Sequence, residues 1–219
     1  MKSLIISPHP DDEVLGAGGT LFKRKKQKNT LFWIIVTKIK PNKYNKKRIQ
    51  LRKEEIEKIK KLFQFKKVFQ LNFYTAELNN NSKKEMIKNF SEIFNNIKPK
   101  EIFVPHFSDV HSDHQIISSV ISTTTKNFRF PFIKKILAYE VLSETNFNLN
   151  RKKAFFPNYY EDISKFLTRK KNAMRIYKSE IKKFPFPRSI KSIDALAKYR
   201  GSQIGTKAAE SFELLKNIE

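Results

Sequence analysis

Four histidines occur in 219 residues, and all four fall in two short segments: His9 in SPHPDDE, and His106, His111 and His114 in PHFSDVHSDHQ. Asp11 and Asp12 stand in the first segment, Asp109 and Asp113 in the second. A purely structural role would require a very crowded network of imidazoles and carboxylates to be satisfied internally. The same inventory suits an open catalytic metal site with three protein ligands and a water. The chain contains no Cys, so disulfides and thiolate sites are excluded and any ion must be held by His, Asp and Glu. Zn2+ fits that donor set best. In His-Pro-Asp-Asp the proline stiffens the turn, and the adjacent aspartates must project in different directions, so one can bind a metal while its neighbour faces the water. His111 and His114 lie three residues apart, close enough to serve one centre from a tight loop or a first helical turn. One of them can be a ligand and the other an acid or an electrostatic stabiliser.

Both segments must be carried to one place. Leu4 to Ser7 and Thr30 to Thr37 (TLFWIIVT) are apolar runs that read as buried strands, with a helix over Asp11 to Lys26 between them that opens on acids and closes on bases. Lys46 to Phe63 and Ser82 to Ile97 show helical periodicity, while Val68 to Phe73, Glu101 to Pro105 and Ile136 to Val141 read as further strands. Regular alternation predicts a doubly wound, mainly parallel sheet with helices on both faces. Each histidine segment then follows the carboxyl end of a strand, where open α/β sheets bind ligands. Beyond residue 145 the pattern loosens, and helical stretches are expected over Ile163 to Lys183 and Ser189 to Tyr199, joined through Phe184-Pro185-Phe186-Pro187. Gly16, Gly18 and Gly19 match neither GxGxxG nor the P-loop, and are read as close packing of the first helix on the sheet. Tyr74, Thr75, Tyr139 and Glu140, near strand ends, are candidates for the crevice wall, and Phe155, Phe156, Tyr159 and Tyr160 for late packing against the core.

SPHPDDEVLGAGGTL, followed about a hundred residues later by VPHFSDVHSDHQ, resembles the PIG-L or LmbE-like family of zinc-dependent N-deacetylases acting on N-acetylglucosamine conjugates. FPFPRS, KYRGSQIG and AAESFELL are similar to a bacterial branch associated with cell-surface sugars. The resemblance implies a Rossmann-like fold in one domain over 1–219, with an α/β core at 1–145 and a C-terminal helical extension at 146–219 packed on it. It implies Zn2+, with Fe2+ the alternative, held by His9, Asp12 and His114. Asp11 matches the general base, and His111 the residue that stabilises the oxyanion or protonates the leaving amine. Asp113 is expected to orient a neighbouring imidazole. Arg52, Asp109 and His106 are assigned to the substrate side of the pocket. The implied partner is an N-acetylated sugar conjugate on a nucleotide, lipid or glycan.

Composition sets the competing class. Lys and Arg number 45 against 21 Asp and Glu, a net charge of +24, which suits phosphate-rich partners. Only nine of those bases are Arg, the better base reader, so no specific nucleic acid is expected, and a non-catalytic polyanion binder is kept as the alternative. No apolar run is long enough to span a bilayer, and the first residues lack a leader pattern, so the expectation is a cytoplasmic protein; a homo-oligomer stays open.

Overall fold

Apolar runs with no polar alternation must be covered on both sides, and the architecture follows from that requirement. The computed structural model describes residues 1–80 and 82–219. In chain order the elements are β1 (Lys2–Ser7), α1 (Asp12–Lys26), β2 (Thr30–Lys38), α2 (Lys46–Phe63), β3 (Lys67–Tyr74), α3 (Lys83–Ile97), β4 (Glu101–Pro105), α4 (Ser112–Thr124), β5 (Lys135–Tyr139), β6 (Tyr159–Asp162), α5 (Leu167–Met174), α6 (Ile190–Ser202) and β7 (Ala209–Asn217). The strands form one seven-stranded sheet in the order β3-β2-β1-β4-β5-β7-β6. β1 to β5 pair in parallel, whereas β7 runs antiparallel to both β5 and β6.

Alternate residues of each strand enter opposite cores. Leu31, Trp33 and Ile35 pack with α1, α2, α5 and α6, while Phe32, Ile34 and Val36 pack with α3 and α4. Close approach of α1 to the sheet depends on its glycines: a Cβ on Gly16 would lie 2.2 Å from the Tyr139 ring, and one on Gly19 would lie 2.7 Å from Ile163. The packing expectation therefore holds on the sheet for Gly16; Gly19 closes instead on Ile163 just past β6, and a Cβ on Gly18 would keep an ordinary 3.4 Å from Lys170 and Val14.

Residues 146–219 depart from the helical extension expected of them. They supply β6 and β7 as well as α5 and α6, and β7 lies in the middle of the sheet's second half. Glu210 of β7 accepts from the backbone N–H of Gly19 and Thr20 in α1, and Lys170 of α5 donates to both Glu210 and the Leu15 carbonyl. The helix expected over Ile163 to Lys183 shrinks to Leu167–Met174, because turns closed by Ile163 and Tyr177 bury those side chains at either end. The two prolines after Phe184 fall between α5 and α6, as expected.

The chain leaves β1 toward β2 and β3, then returns to the other side of β1 to form β4 and β5. That reversal makes the β1–β4 junction the topological switch point, where two successive loops splay apart and open a crevice.

Candidate active site

The loop after β1 carries His9 to Asp12, and the loop after β4 carries His106 to His111 before α4 begins. Asp11 is the N-cap of α1 at φ 135°, a conformation an L residue adopts only under strain, and backbone strain of this kind concentrates at functional sites. His111 caps α4, its Nδ1 accepting from the Asp113 N–H at 3.1 Å. Helix α4, whose start the sequence left between loop and helix, places Asp113 and His114 in its first turn, both fully buried.

Three ligand-type atoms meet across the junction. His114 Nε2 lies 3.3 Å from His9 Nδ1 and 3.4 Å from Asp12 Oδ2, and His9 Nδ1 lies 3.6 Å from the same oxygen. Ligand atoms about 2.0–2.1 Å from a tetrahedral ion stand about 3.4 Å apart, so the triangle has the dimensions of one face of such a site. Each imidazole is also held by its other nitrogen: His114 Nδ1 bonds Asp109 Oδ2 at 2.8 Å, and His9 Nε2 bonds Asp113 Oδ2 at 3.0 Å. Those carboxylates fix the rings with Nε2 of His114 and Nδ1 of His9 turned toward Asp12, as metal-binding histidines are commonly braced. Asp109 is itself oriented by the Thr145 hydroxyl at 2.6 Å, and Asp113 by the Ala76 N–H at 2.8 Å. His9, His111 and Asp113 form a second close group, in which the Asp113 Oδ2 is already bonded to His9 Nε2 at 3.0 Å. The residues present therefore fit a divalent cation at His9, Asp12 and His114.

Charge points the same way. Burial opposes protonation of His114, yet the facing Asp12 carboxylate drives its pKa well above the usual imidazole value. Burial works against Asp12 as well, and the His114 and His9 rings bring its pKa down to about 2. A position that stabilises a positive charge so strongly is suited to a metal in place of the proton. Asp11 behaves oppositely: burial, then the adjacent Asp12 and Glu180 charges, raise its pKa well above the ordinary carboxylate value. Among the described residues no donor reaches the Asp11 carboxylate. Burial and the neighbouring His9 lower His111 to about 4, so it is a neutral ring near neutral pH.

A cavity of about 480 Å³ opens onto these groups and is lined by His9, Asp11, Asp12 and His111, with Thr75, Arg52 and Arg188 on its other walls. Its volume falls in the range of small-molecule sites. The side chains assigned to the substrate separate here. Arg52 lines the cavity, though its Nη1 donates to the Pro10 carbonyl at 2.6 Å and its Nη2 bonds Glu180, bracing the HPDD turn. Asp109 does not reach the cavity wall, because it is engaged behind His114. His106 does not reach it either; fully buried, it bonds Ser108 Oγ through Nδ1 at 2.6 Å and faces Glu213 of β7 at 3.1 Å through Nε2. Thr75 lines the crevice, but Tyr139 is buried with its hydroxyl on the Ile6 carbonyl, and Glu140 is paired with Arg200. Phe155 packs on His106 and Tyr159 on Phe212. Glu180 and Arg188 were not foreseen as site residues: Glu180 falls in the stretch expected to be helix, and Arg188 in FPFPRS, which was read as a link between helices.

Fold and site together define a class: an α/β protein whose histidine-bearing loops leave neighbouring parallel strands at the switch point and present a candidate His-Asp-His cation site beside a strained acid. A family model described as PIG-L, GlcNAc-PI de-N-acetylase, matches residues 4–125, more than half of the chain, and the chain belongs to that family. It is accordingly an amide hydrolase of the N-deacetylase type, which sets aside the non-catalytic polyanion binder. Among solved structures it is similar to N,N'-diacetylchitobiose deacetylase from Pyrococcus horikoshii, at 23% identity and TM-score 0.76 over 98% of this chain and 84% of that one. A deacetylase of teicoplanin biosynthesis matches at 15% identity and TM-score 0.76 over 100% of both chains. GalB, the 4-carboxy-2-hydroxymuconate hydratase of Pseudomonas putida KT2440, matches at 14% and TM-score 0.78 over 100% of this chain and 98% of that one. One fold thus carries both deacetylases and a hydratase, so function has to be argued from the site.

Proposed function

We propose that this chain is a zinc-dependent hydrolase that removes the acetyl group from an N-acetylhexosamine conjugate, GlcNAc-like, in the making of cell-surface glycans or glycoconjugates. The supporting observation is the braced His9–Asp12–His114 triangle opening onto the cavity that Asp11 and His111 line. These three residues would hold Zn2+, with Fe2+ the alternative. When bound, the ion supplies electrophilic activation, polarising the acyl oxygen and easing ionisation of water near neutral pH.

The remaining work falls to side chains. Asp11, with its raised proton affinity and no donor on its oxygens among the described residues, takes a proton from the attacking water as the new C–O bond forms. The same carboxyl, now protonated, returns that proton to the amide nitrogen as the C–N bond breaks, leaving acetate and a free amine. His111 accepts a backbone N–H on Nδ1, so its neutral ring carries the proton on Nε2 and can donate to the developing oxyanion. Asp109 and Asp113 are positioning residues that hold His114 and His9. Arg52 fixes the turn carrying Asp11 and Asp12 through the Pro10 carbonyl.

The test is metal content of the purified protein by elemental analysis, with amine release from N-acetylated sugars followed before chelation, after it, and after zinc is restored. Near one metal per chain with zinc-restored amine release is expected. A protein that takes up no metal, or whose turnover ignores the chelator, overturns the proposal.

A further inference from the structure

A general base has to be aimed without being hydrogen-bonded. A donor on the Asp11 carboxylate would fix its direction but would also stabilise its charge and weaken it as a base. No donor among the described residues does so, and the side chain is aimed through its main chain instead. The Asp11 carbonyl accepts from the Val14 and Leu15 N–H groups at 3.0 and 2.9 Å. The peptide unit between Pro10 and Asp11 is held on both sides: its carbonyl accepts from Arg52 Nη1 at 2.6 Å, and its N–H donates to Glu13 Oε2 at 3.1 Å. The Pro10 ring fixes the φ of that residue, so the tilt of this peptide plane is what sets Asp11 at φ 135°. A backbone so strained persists only where its surroundings over-determine it.

Both holds lead to Tyr177, a residue of the late segment. Its hydroxyl donates to Glu13 Oε1 at 2.5 Å, and its ring centre lies 5.7 Å from the Arg52 guanidinium. The turn that follows brings the Glu180 N–H onto the Tyr177 carbonyl at 3.0 Å, and Glu180 in turn bonds Arg52. Glu13 and Tyr177 are fully buried and neither lines the cavity, so substrate touches neither. We propose that Glu13 and Tyr177 are positioning residues for the base: Tyr177 holds Glu13, and Glu13 holds the Asp11 N–H so that the strained peptide points the carboxylate at the attacking water. This assignment rests on the deacetylase reading above, in which Asp11 takes the water proton.

Tyr177→Phe tests it, because the ring stays beside Arg52 while Glu13 loses the donor that holds it. On the zinc-loaded protein with N-acetylglucosamine, kcat is expected to fall about 10–100-fold, as a misplacement of about 1 Å gives, with KM and metal content unchanged. In an Asp11→Asn background the same substitution should slow the residual turnover no further, since no base is left to aim. Exchange of the Asp11 amide hydrogen, read by NMR, should quicken in Tyr177→Phe while the amides of β1 keep their rates. Full kcat in Tyr177→Phe, an equal loss in both backgrounds, or a loss that tracks metal content overturns the assignment. Where the wild type releases no amine at all, a quickened Asp11 amide sustains the hold and sinks the deacetylase, whereas an unchanged amide overturns the hold itself.

Discussion

β1, α1 and β4 carry a buried cluster of charged groups at each of their ends, and the two clusters are built to different rules. Where β1 and β4 begin and α1 ends, Arg24 bonds Glu101 through Nε and Nη2, both at 2.9 Å, and also bonds Glu161. Ser3 donates to Glu101 at 2.8 Å, Asn29 to Ser3 at 3.2 Å, and Lys23 to Glu161 at 2.5 Å. Two bases balance two acids, and every group has a partner. Where β1 and β4 end and α1 begins, no donor among the described residues reaches the Asp11 carboxylate, one Asp113 oxygen is buried without a partner among them, and His114 Nε2 and His9 Nδ1 both face the Asp12 carboxylate, at 3.4 and 3.6 Å. A cluster whose groups satisfy one another is finished as structure; one that leaves charge unanswered beside a cavity is waiting for a ligand.

The largest expected effect breaks the unfinished end. His114→Ala removes one corner of the triangle, so metal content should drop from near one per chain to near zero and turnover should fall further than the loss of any single acid or base. Retained metal and turnover would mean that the ion is held elsewhere. Asp11→Asn sharpens the comparison, because it removes the proton carrier and leaves all three ligands. Metal should stay while kcat falls about 10²–10⁴-fold, the usual contribution of a positioned general base.

Breaking the finished end should have the converse signature. Arg24→Met leaves the buried Glu101 carboxylate without a cation and Glu161 with Lys23 alone, and breaking a buried pair typically costs about 3–5 kcal/mol. Denaturant melts should report that loss, while kcat per folded molecule stays at the wild-type value. A drop in kcat without loss of stability would show that the two ends are not separable. Smaller still, Asp109→Asn keeps the volume but weakens the brace on His114, and metal affinity should fall about 10–100-fold.

The contrast also explains what could be read without coordinates. β1, β2 and β4 were plain because strands covered on both faces must be apolar throughout, and α2 was bounded at Lys46 and Phe63 by its periodicity alone. That Asp113 orients an imidazole is what the family resemblance implied, and its carboxylate lies 3.0 Å from His9 Nε2. Asp109 was not legible as a support, since its function depends on Thr145, 36 residues away, and neither was His106, whose partner Glu213 lies on the last strand. β7 escaped notice because acids interrupt its apolar residues, and one of them, Glu210, turns inward to bond α1. The candidate ligands were thus legible where one segment carries several of them, and the residues that hold them were hidden where they come from distant segments.

Protons give the finest discrimination between the ends, because one glutamate at each is shifted in opposite directions. Glu161 is opposed by burial but held below its ordinary 4.5 by Arg24 and Lys23, so it adds stability that is present above 4.5 and lost as pH falls through its lowered value. Glu13, fully buried under the Tyr177 hydroxyl at 2.5 Å, is pushed by burial from 4.5 up to about 8. Between those values the folded protein holds a proton that the unfolded chain has released, so stability must fall as pH rises from 4.5 toward 8, by at most about 1.4 kcal/mol per pH unit. Denaturant melts of the chelated protein, in which the pH dependence of metal binding does not enter, should show that decline between pH 6 and 8. Glu13→Gln, which imitates the protonated side chain, should make it shallower, leaving the part contributed by the raised Asp11 and His114, and leave the acid limb below 4.5 unchanged. If both proteins lose stability at the same rate, Glu13 is ionised in the fold, and the site end is more fully compensated than its hydrogen bonds indicate.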